Sequence, residues 1–142
     1  MSVERNKAVV RRFLDEVWNL GKLDVVDEIF AEESVLHYRT FDFVLSRSQV
    51  KEIVREWLTA FPDFHFNVAA IVGEGDLVAC RIPFTGTHQG QLWDLAPTGR
   101  AVRVSETMFY RIANGLIVEG WEDYDELSMR EQIKTSDAAP RG

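Results

Sequence analysis

The stretch Val102-Arg103-Val104-Ser105-Glu106-Thr107-Met108-Phe109-Tyr110-Arg111-Ile112, followed by Ala113-Asn114-Gly115 and then Leu116-Ile117-Val118-Glu119-Gly120-Trp121-Glu122-Asp123-Tyr124, decides how this chain folds. Both flanks are rich in β-branched and aromatic residues, and an Asn-Gly step between two such runs is a strong hairpin signal. The unusual feature is acid. Glu106 stands between Val104 and Met108, and Glu122, Asp123 and Asp125 follow Trp121. Burying a lone carboxylate is expensive, so acids on half-buried strands must be solvated, paired or protonated. A pocket built for proton transfer is one reason to carry them there.

Turn length sets the pairing. A three-residue loop with Gly115 in the left-handed region pairs Ile112 with Leu116 and brings Glu106 opposite Glu122. A two-residue loop brings Glu106 opposite Asp123. In both registers a carboxylate faces a carboxylate, and like charges across a ladder repel, so one acid holds its proton longer. The alternative is an end of the hairpin that projects into water, where both acids are solvated.

Outward from the hairpin, further strand-like runs cover Phe64 to Val72 and Leu77 to Thr87, with Gly73-Glu74-Gly75-Asp76 as the turn between them. The first sixty residues read differently. Apolar residues at Val9, Val10, Phe13, Leu14, Val17 and Trp18 have helical spacing from an N-cap at Ser2 to a stop at Asn19-Leu20-Gly21. A short second helix carries Val25, Val26, Ile29 and Phe30. The third runs through Val50, Ile53, Val54, Trp57, Leu58 and Phe61 to Pro62, capped by Ser46 or Ser48. Between these helices Val35-Leu36-His37-Tyr38 reads as a short strand, followed by a loop through Asp42 and Leu45. Helices first and strands afterwards predict an α+β fold: one antiparallel sheet with about three N-terminal helices on one face. A single domain over 1–135 and a flexible tail over 136–142 are expected.

Composition narrows the function. At 142 residues the chain supports one genuine core. Sixteen basic against 23 acidic residues give −7 with no Lys/Arg run, which argues against nucleic acid or an anionic membrane as partner. Cys80 is the only cysteine, so no internal disulfide forms, and Met1 to Arg5 holds no signal-peptide core. A cytoplasmic protein acting on a small molecule is expected. The three histidines, His37, His65 and His88, are too scattered for a metal-ligand motif, so no metal is expected.

Several further segments carry a resemblance. Gly86-Thr87-His88-Gln89-Gly90, Pro97-Thr98-Gly99-Arg100, Tyr110-Arg111-Ile112 with Asn114-Gly115-Leu116-Ile117, then Trp121, Asp125 and Met129-Arg130-Glu131-Gln132-Ile133 resemble, in order and spacing, the SnoaL-like polyketide cyclases and ester cyclases of the NTF2-like superfamily. Ala60-Phe61-Pro62-Asp63-Phe64 and the first helix extend the likeness over nearly the whole chain. The resemblance implies a cone, a strongly curved antiparallel sheet around a pocket closed by helices, and a homodimer across the sheet. It implies intramolecular aldol ring closure by an aspartate base late in the last strand, with no cofactor. The base position falls on Glu122, on the face of Met108. Two family histidines are absent: the position two before the base is Gly120, and another is Met108.

Candidate catalytic residues are therefore Glu122 as general base, Glu106 as the acid that holds or shares its proton, and His37 as a group that polarises a carbonyl. Tyr110, Met108, Trp57, Phe61, Trp93 and Trp121 are candidates to line an apolar pocket, or equally to form core. His88 lies in the Gly-Thr-His loop and Arg81 on a strand. Arg81 with Asp123 or Asp125 would imitate the Asp–Arg–Asp set by which epoxide hydrolases of the superfamily activate water. A binding module that has kept the cone and lost the chemistry is the third reading.

Overall fold

The structure, a computed structural model, describes residues 2–134. The expected tail over 136–142 lies outside them. The first helix, α1 (Val3–Arg12), begins at Ser2, whose hydroxyl accepts from the Arg5 amide, and continues as a π-helical stretch over Phe13–Trp18. Asn19 then ends it and clamps it to the sheet: its side chain accepts from the Phe66 amide and donates to the Phe66 carbonyl. A 3-10 turn leads into the short α2 (Val26–Ile29). Helix α3 (Arg47–Ala60) starts at Ser46 in a capping box with Gln49, which satisfies two otherwise orphaned amides. A fourth helix, α4 (Glu126–Lys134), closes the described chain.

Three expectations about the strands are corrected. The segment after Tyr38 is not a loop: β1 (Phe30–Tyr38) and β2 (Phe41–Ser46) form a hairpin, with Phe41, Phe43 and Leu45 sharing one parity of β2. The long runs are each broken in two, giving β3 (His65–Phe66) and β4 (Ala70–Glu74), β5 (Leu77–Arg81) and β6 (Phe84–Thr87), β7 (Ala101–Val104) and β8 (Glu106–Ala113). The breaks fall at 67–69, at Ile82-Pro83, where proline lacks the amide a ladder needs, and at Ser105. With β9 (Leu116–Tyr124) they fold the strands into a six-stranded sheet, β2-β1-β9-β8-β5-β4, and a three-stranded one, β3-β6-β7. Strand β9 pairs antiparallel with β8 but parallel with β1, so the large sheet is mixed.

Neither expected register holds along the whole β8–β9 hairpin. Asn114 (φ 53) and Gly115 (φ 78) make a two-residue turn that pairs Ala113 with Leu116. One step further on Val118 is extra: Ile112 pairs with Ile117, but Arg111 pairs with Glu119. This bulge flips the parity of β9. Beyond it Met108 faces Glu122 and Glu106 faces Tyr124, so no acid sits directly opposite Glu106. The two glutamates are instead diagonal neighbours on one face, a separation that long side chains span.

One hydrophobic core fills the space between helices and sheet, from Val10 and Leu14 on the first helix to Ile117 and Met129. Next to it Trp57, Phe61, Phe64, Phe66 and Phe84 stack into an aromatic block, with ring centroids 4.8–6.4 Å apart. The loop after β6 is bonded to the end of α3 by the Gln89 and Gly90 amides on the Ala60 carbonyl. A Cβ on Gly90 would lie 2.2 Å from the Thr59 carbonyl oxygen, so only glycine allows this approach. Among the described residues no helix is long and apolar enough to cross a membrane.

Candidate active site

The inner face of the large sheet is built in rows. Glu122 on β9 lies between Tyr38 on β1 and Met108 on β8, and Gly120 lies between Leu36 and Tyr110. Helix α3 covers this face with Val50, Ile53 and Val54, and the first helix with Phe13 and Trp18. Between them is a cavity of about 80 Å³ that opens to solvent. Leu45 and Ile53 line both the cavity and an open groove along α3 that also carries Gln49, Glu52, Glu56 and Gln91, which marks the way in.

The walls are apolar except for Ser34, Glu106, Tyr110, Glu119 and Glu122. Glu106 is 4% exposed. Burial pushes its carboxyl well above the usual range, and the Glu122 charge and a hydrogen bond shared with Glu122 add to this. Burial also raises Glu122; the bond from Glu106 opposes the rise and the Asp123 charge adds to it. The pair therefore divides its protons unequally: Glu106 carries one and donates it to Glu122, which stays the stronger acceptor. Tyr110, 3% exposed, is held protonated by burial and by the acids around it. Cys80, beneath the same row, has its thiol pushed up to about 12 by burial and is chemically inert at neutral pH. Two proton donors and one carboxylate thus converge on an apolar space, an arrangement that can take a proton from carbon and meet the oxygen that becomes charged. Among the described residues no group of three His, Cys, Asp or Glu could hold a metal ion.

Of the residues singled out from sequence, Glu106, Met108, Tyr110 and Glu122 come together here. The others do not line the cavity. His37 has the opposite parity to Leu36 and Tyr38 and stacks on Trp121 on the outer face, 5.1 Å between centroids. Its Nδ1 is 2.6 Å from Asp42 and its Nε2 2.7 Å from Glu119, and these bonds, Asp42 first, raise its pKa. Arg81 is exposed on the outer face, takes part in none of the ion pairs of the described residues, and so completes no water-activating set in the cavity. Trp57 and Phe61 belong to the aromatic block, and Trp93 packs edge-on to Trp57 under the Arg130 guanidinium. His88 is fully buried against Phe61, with Nδ1 3.2 Å from the Thr98 hydroxyl, and burial keeps it neutral. The Gly-Thr-His loop thus serves architecture.

Sequence reasoning missed Ser34, and on the α3 stripe it singled out Trp57 and Phe61 where Val50, Ile53 and Val54 line the cavity. Ser34 shares the parity of Leu36, which would have found it once β1 was read at full length. The α3 stripe carries no such signal, because a helix that lids a cavity and one that fills a core have the same period.

The sequence model of SnoaL-like polyketide cyclases matches residues 8–133. Among curated proteins none matches. Among solved structures, a protein assigned as a polyketide cyclase from Acidithiobacillus ferrooxidans is 26% identical with a TM-score of 0.83, covering 96% of this chain and 99% of its own. AclR from Streptomyces galilaeus, assigned as a hydroxylase, is 26% identical with a TM-score of 0.84, covering 99% and 87%. IdmH from Streptomyces antibioticus, assigned as a polyketide cyclase, is 28% identical with a TM-score of 0.76, covering 89% and 96%.

Proposed function

This chain belongs to the SnoaL-like polyketide cyclase family, and we propose that it is a cofactor-independent acid/base enzyme that closes a ring on an apolar, carbonyl-bearing small molecule by intramolecular aldol chemistry. The observation that carries the reading is the pair Glu106–Glu122, the first buried and the second half-buried at the wall of an apolar cavity, sharing protons unequally. In this mechanism the Glu122 carboxylate removes a proton alpha to a carbonyl. The enolate oxygen meets the O–H groups of Tyr110 and Glu106, whose strength as donors grows in a dry site. The enolate carbon bonds to a second carbonyl carbon of the same molecule, and the resulting alkoxide takes the proton back from Glu122. No atom is gained or lost, so the pair ends as it began.

Hydrogen exchange tests the first step without knowledge of the natural substrate. In D₂O the protein should exchange the α-protons of a neutral aryl β-diketone faster than buffer alone, followed by proton NMR. Exchange at the buffer rate with the diketone bound would favour a binding module over an enzyme. Hydrolysis of an epoxide finds no support in the site, since Arg81 lies outside it.

We infer a homodimer across the outer face of the sheet. Val72, Ala79, Phe109 and Trp121 are successive Cα partners there, with Val72 61% and Phe109 46% exposed. In the adjoining row Arg81 and Asp123 flank Thr107, both exposed, so a two-fold copy can set the one against the other. Sedimentation should give a dimer at micromolar concentration and a monomer for Phe109→Asp. A monomeric parent chain ends this inference.

A further inference from the structure

On the outer face, His37 has both ring nitrogens bonded to carboxylates of different strands: Nδ1 to Asp42 on β2 at 2.6 Å, and Nε2 to Glu119 on β9 at 2.7 Å. An ionised carboxylate only accepts, so each nitrogen carries a hydrogen and the ring is an imidazolium. Its plane stacks on Trp121 of β9. The chain of charges runs on beyond Glu119, whose second oxygen accepts from Arg111 on β8, and Arg111 reaches Asp76 in the turn before β5.

These groups hold the part of the large sheet that has least else to hold it. Strand β2 is an edge and pairs with β1 alone. The ladder between β1 and β9 is parallel, the less stable kind, and it breaks between Phe30 and Val35. After the break, Val35, Leu36, His37 and Tyr38 pair with Glu119, Gly120, Trp121 and Glu122. His37 stands inside this short stretch and bonds to the strand on either side of it. From its inner face the same hairpin gives the cavity Ser34, Leu36 and Leu45, and it places Tyr38 beside Glu122.

We propose that His37 is a proton-operated rivet: protonated, it joins β2, β1 and β9 and fixes the β1–β2 hairpin as a wall of the cavity; deprotonated, it releases one neighbour and the hairpin loosens. A neutral ring has a single N–H, so its other nitrogen would set a lone pair against a carboxylate oxygen and that bond must part. The charges facing His37 are Asp42 from β2 and Glu119 from β9, and both favour the imidazolium, Asp42 more strongly. Arg111 and Asp76 act on it only through Glu119, and Asp123 follows Trp121 on the same face of β9. On β1 itself Arg39 turns to Glu126 and the Tyr38 ring. The hold is therefore complete below the ordinary histidine range and is lost as pH rises through the raised value.

Hydrogen exchange of the full chain reads the hairpin without any ligand, so the result is independent of the acid/base reading of the cavity. Protection of the amides over 30–46 is measured at about pH 6 and about pH 9, either side of the histidine range, and corrected for the intrinsic exchange rate. His37→Arg keeps a fixed charge with donors for both carboxylates, whereas His37→Gln has no charge and one donor group. Between the two pH values the parent should lose more than about threefold of its protection relative to His37→Arg, at no more than about tenfold per pH unit. His37→Gln should show at the lower pH the protection that the parent shows at the higher. Glu106 titrates in all three proteins, so its effect cancels in the comparison. Parallel behaviour of the parent and His37→Arg, or a loss spread equally over β4 and β5, would overturn the rivet.

Discussion

Glu122→Gln should lower turnover by about 10²–10⁴-fold while leaving ligand affinity and Tm close to those of the parent, the loss typical of removing a positioned general base. Glutamine keeps the shape of the side chain and an oxygen that can accept from Glu106, so the row between Tyr38 and Met108 stays packed. It lacks the basic oxygen. Because the proton on carbon is lost only in the transition state, the defect belongs in kcat, with KM hardly moved. Steady-state kinetics on a cyclising substrate, or the exchange rate of a bound diketone, reads it directly. Unchanged turnover would remove Glu122 from the mechanism and leave the cavity as a binding site.

The second large effect is on stability as a function of pH. In the folded protein the Glu106 carboxyl titrates above its value in the unfolded chain, chiefly because it is buried. Between those two values the folded state binds the extra proton. Stability is therefore full below the ordinary carboxylate range and falls as pH rises towards the folded pKa, by up to about 1.4 kcal/mol per pH unit for one proton. Glu106→Gln is neutral at every pH and should lose this decline. Urea unfolding at a series of pH values measures it as the difference between parent and variant. That difference reports the Glu106–Glu122 pair, whose two pKa values depend on each other, since His37, which declines in the same direction, and Glu119, Glu126 and Asp63, held below their usual values, are common to both proteins. Parallel curves for parent and variant would mean that Glu106 is not held protonated.

The two effects are linked through one proton. A carboxylate pair in an apolar wall cannot ionise fully, and the acid with the deeper burial keeps its proton. Stability is given up as pH rises above the ordinary carboxylate range, and in return a donor and an acceptor stand side by side. The neutral histidine of the Gly-Thr-His loop and the inert thiol of Cys80 show the opposite outcome, where burial simply silences a titratable group.

Fold class was legible in the chain because period and punctuation are local. The helical stripes, the Ser2 and Ser46 caps and the Asn114-Gly115 turn each act within a few residues, and they hold in the structure except that Phe30, read into the second helix, opens β1. Glu106 and Glu122 could be paired on paper because a hairpin is itself nearly local. Even so, the Val118 bulge replaces both expected registers, since one inserted residue changes the face of everything beyond it. The placements of His37, Arg81, Trp57, Phe61, Trp93, Trp121 and His88 were not legible. Alternation says that neighbours face opposite ways, but not which face is covered by helices.

What the sequence determined by itself is an α+β domain with helices before strands and an acid pair on its last hairpin, since propensity, capping and turn chemistry are decided residue by residue. What only the tertiary structure decided is which face of that hairpin encloses the cavity and which acid keeps the proton. Both depend on strands and helices distant in sequence: β1 arriving parallel to β9, and α3 closing over the sheet to exclude water from Glu106. Desolvation is a property of everything that surrounds a group, and no window of sequence contains it.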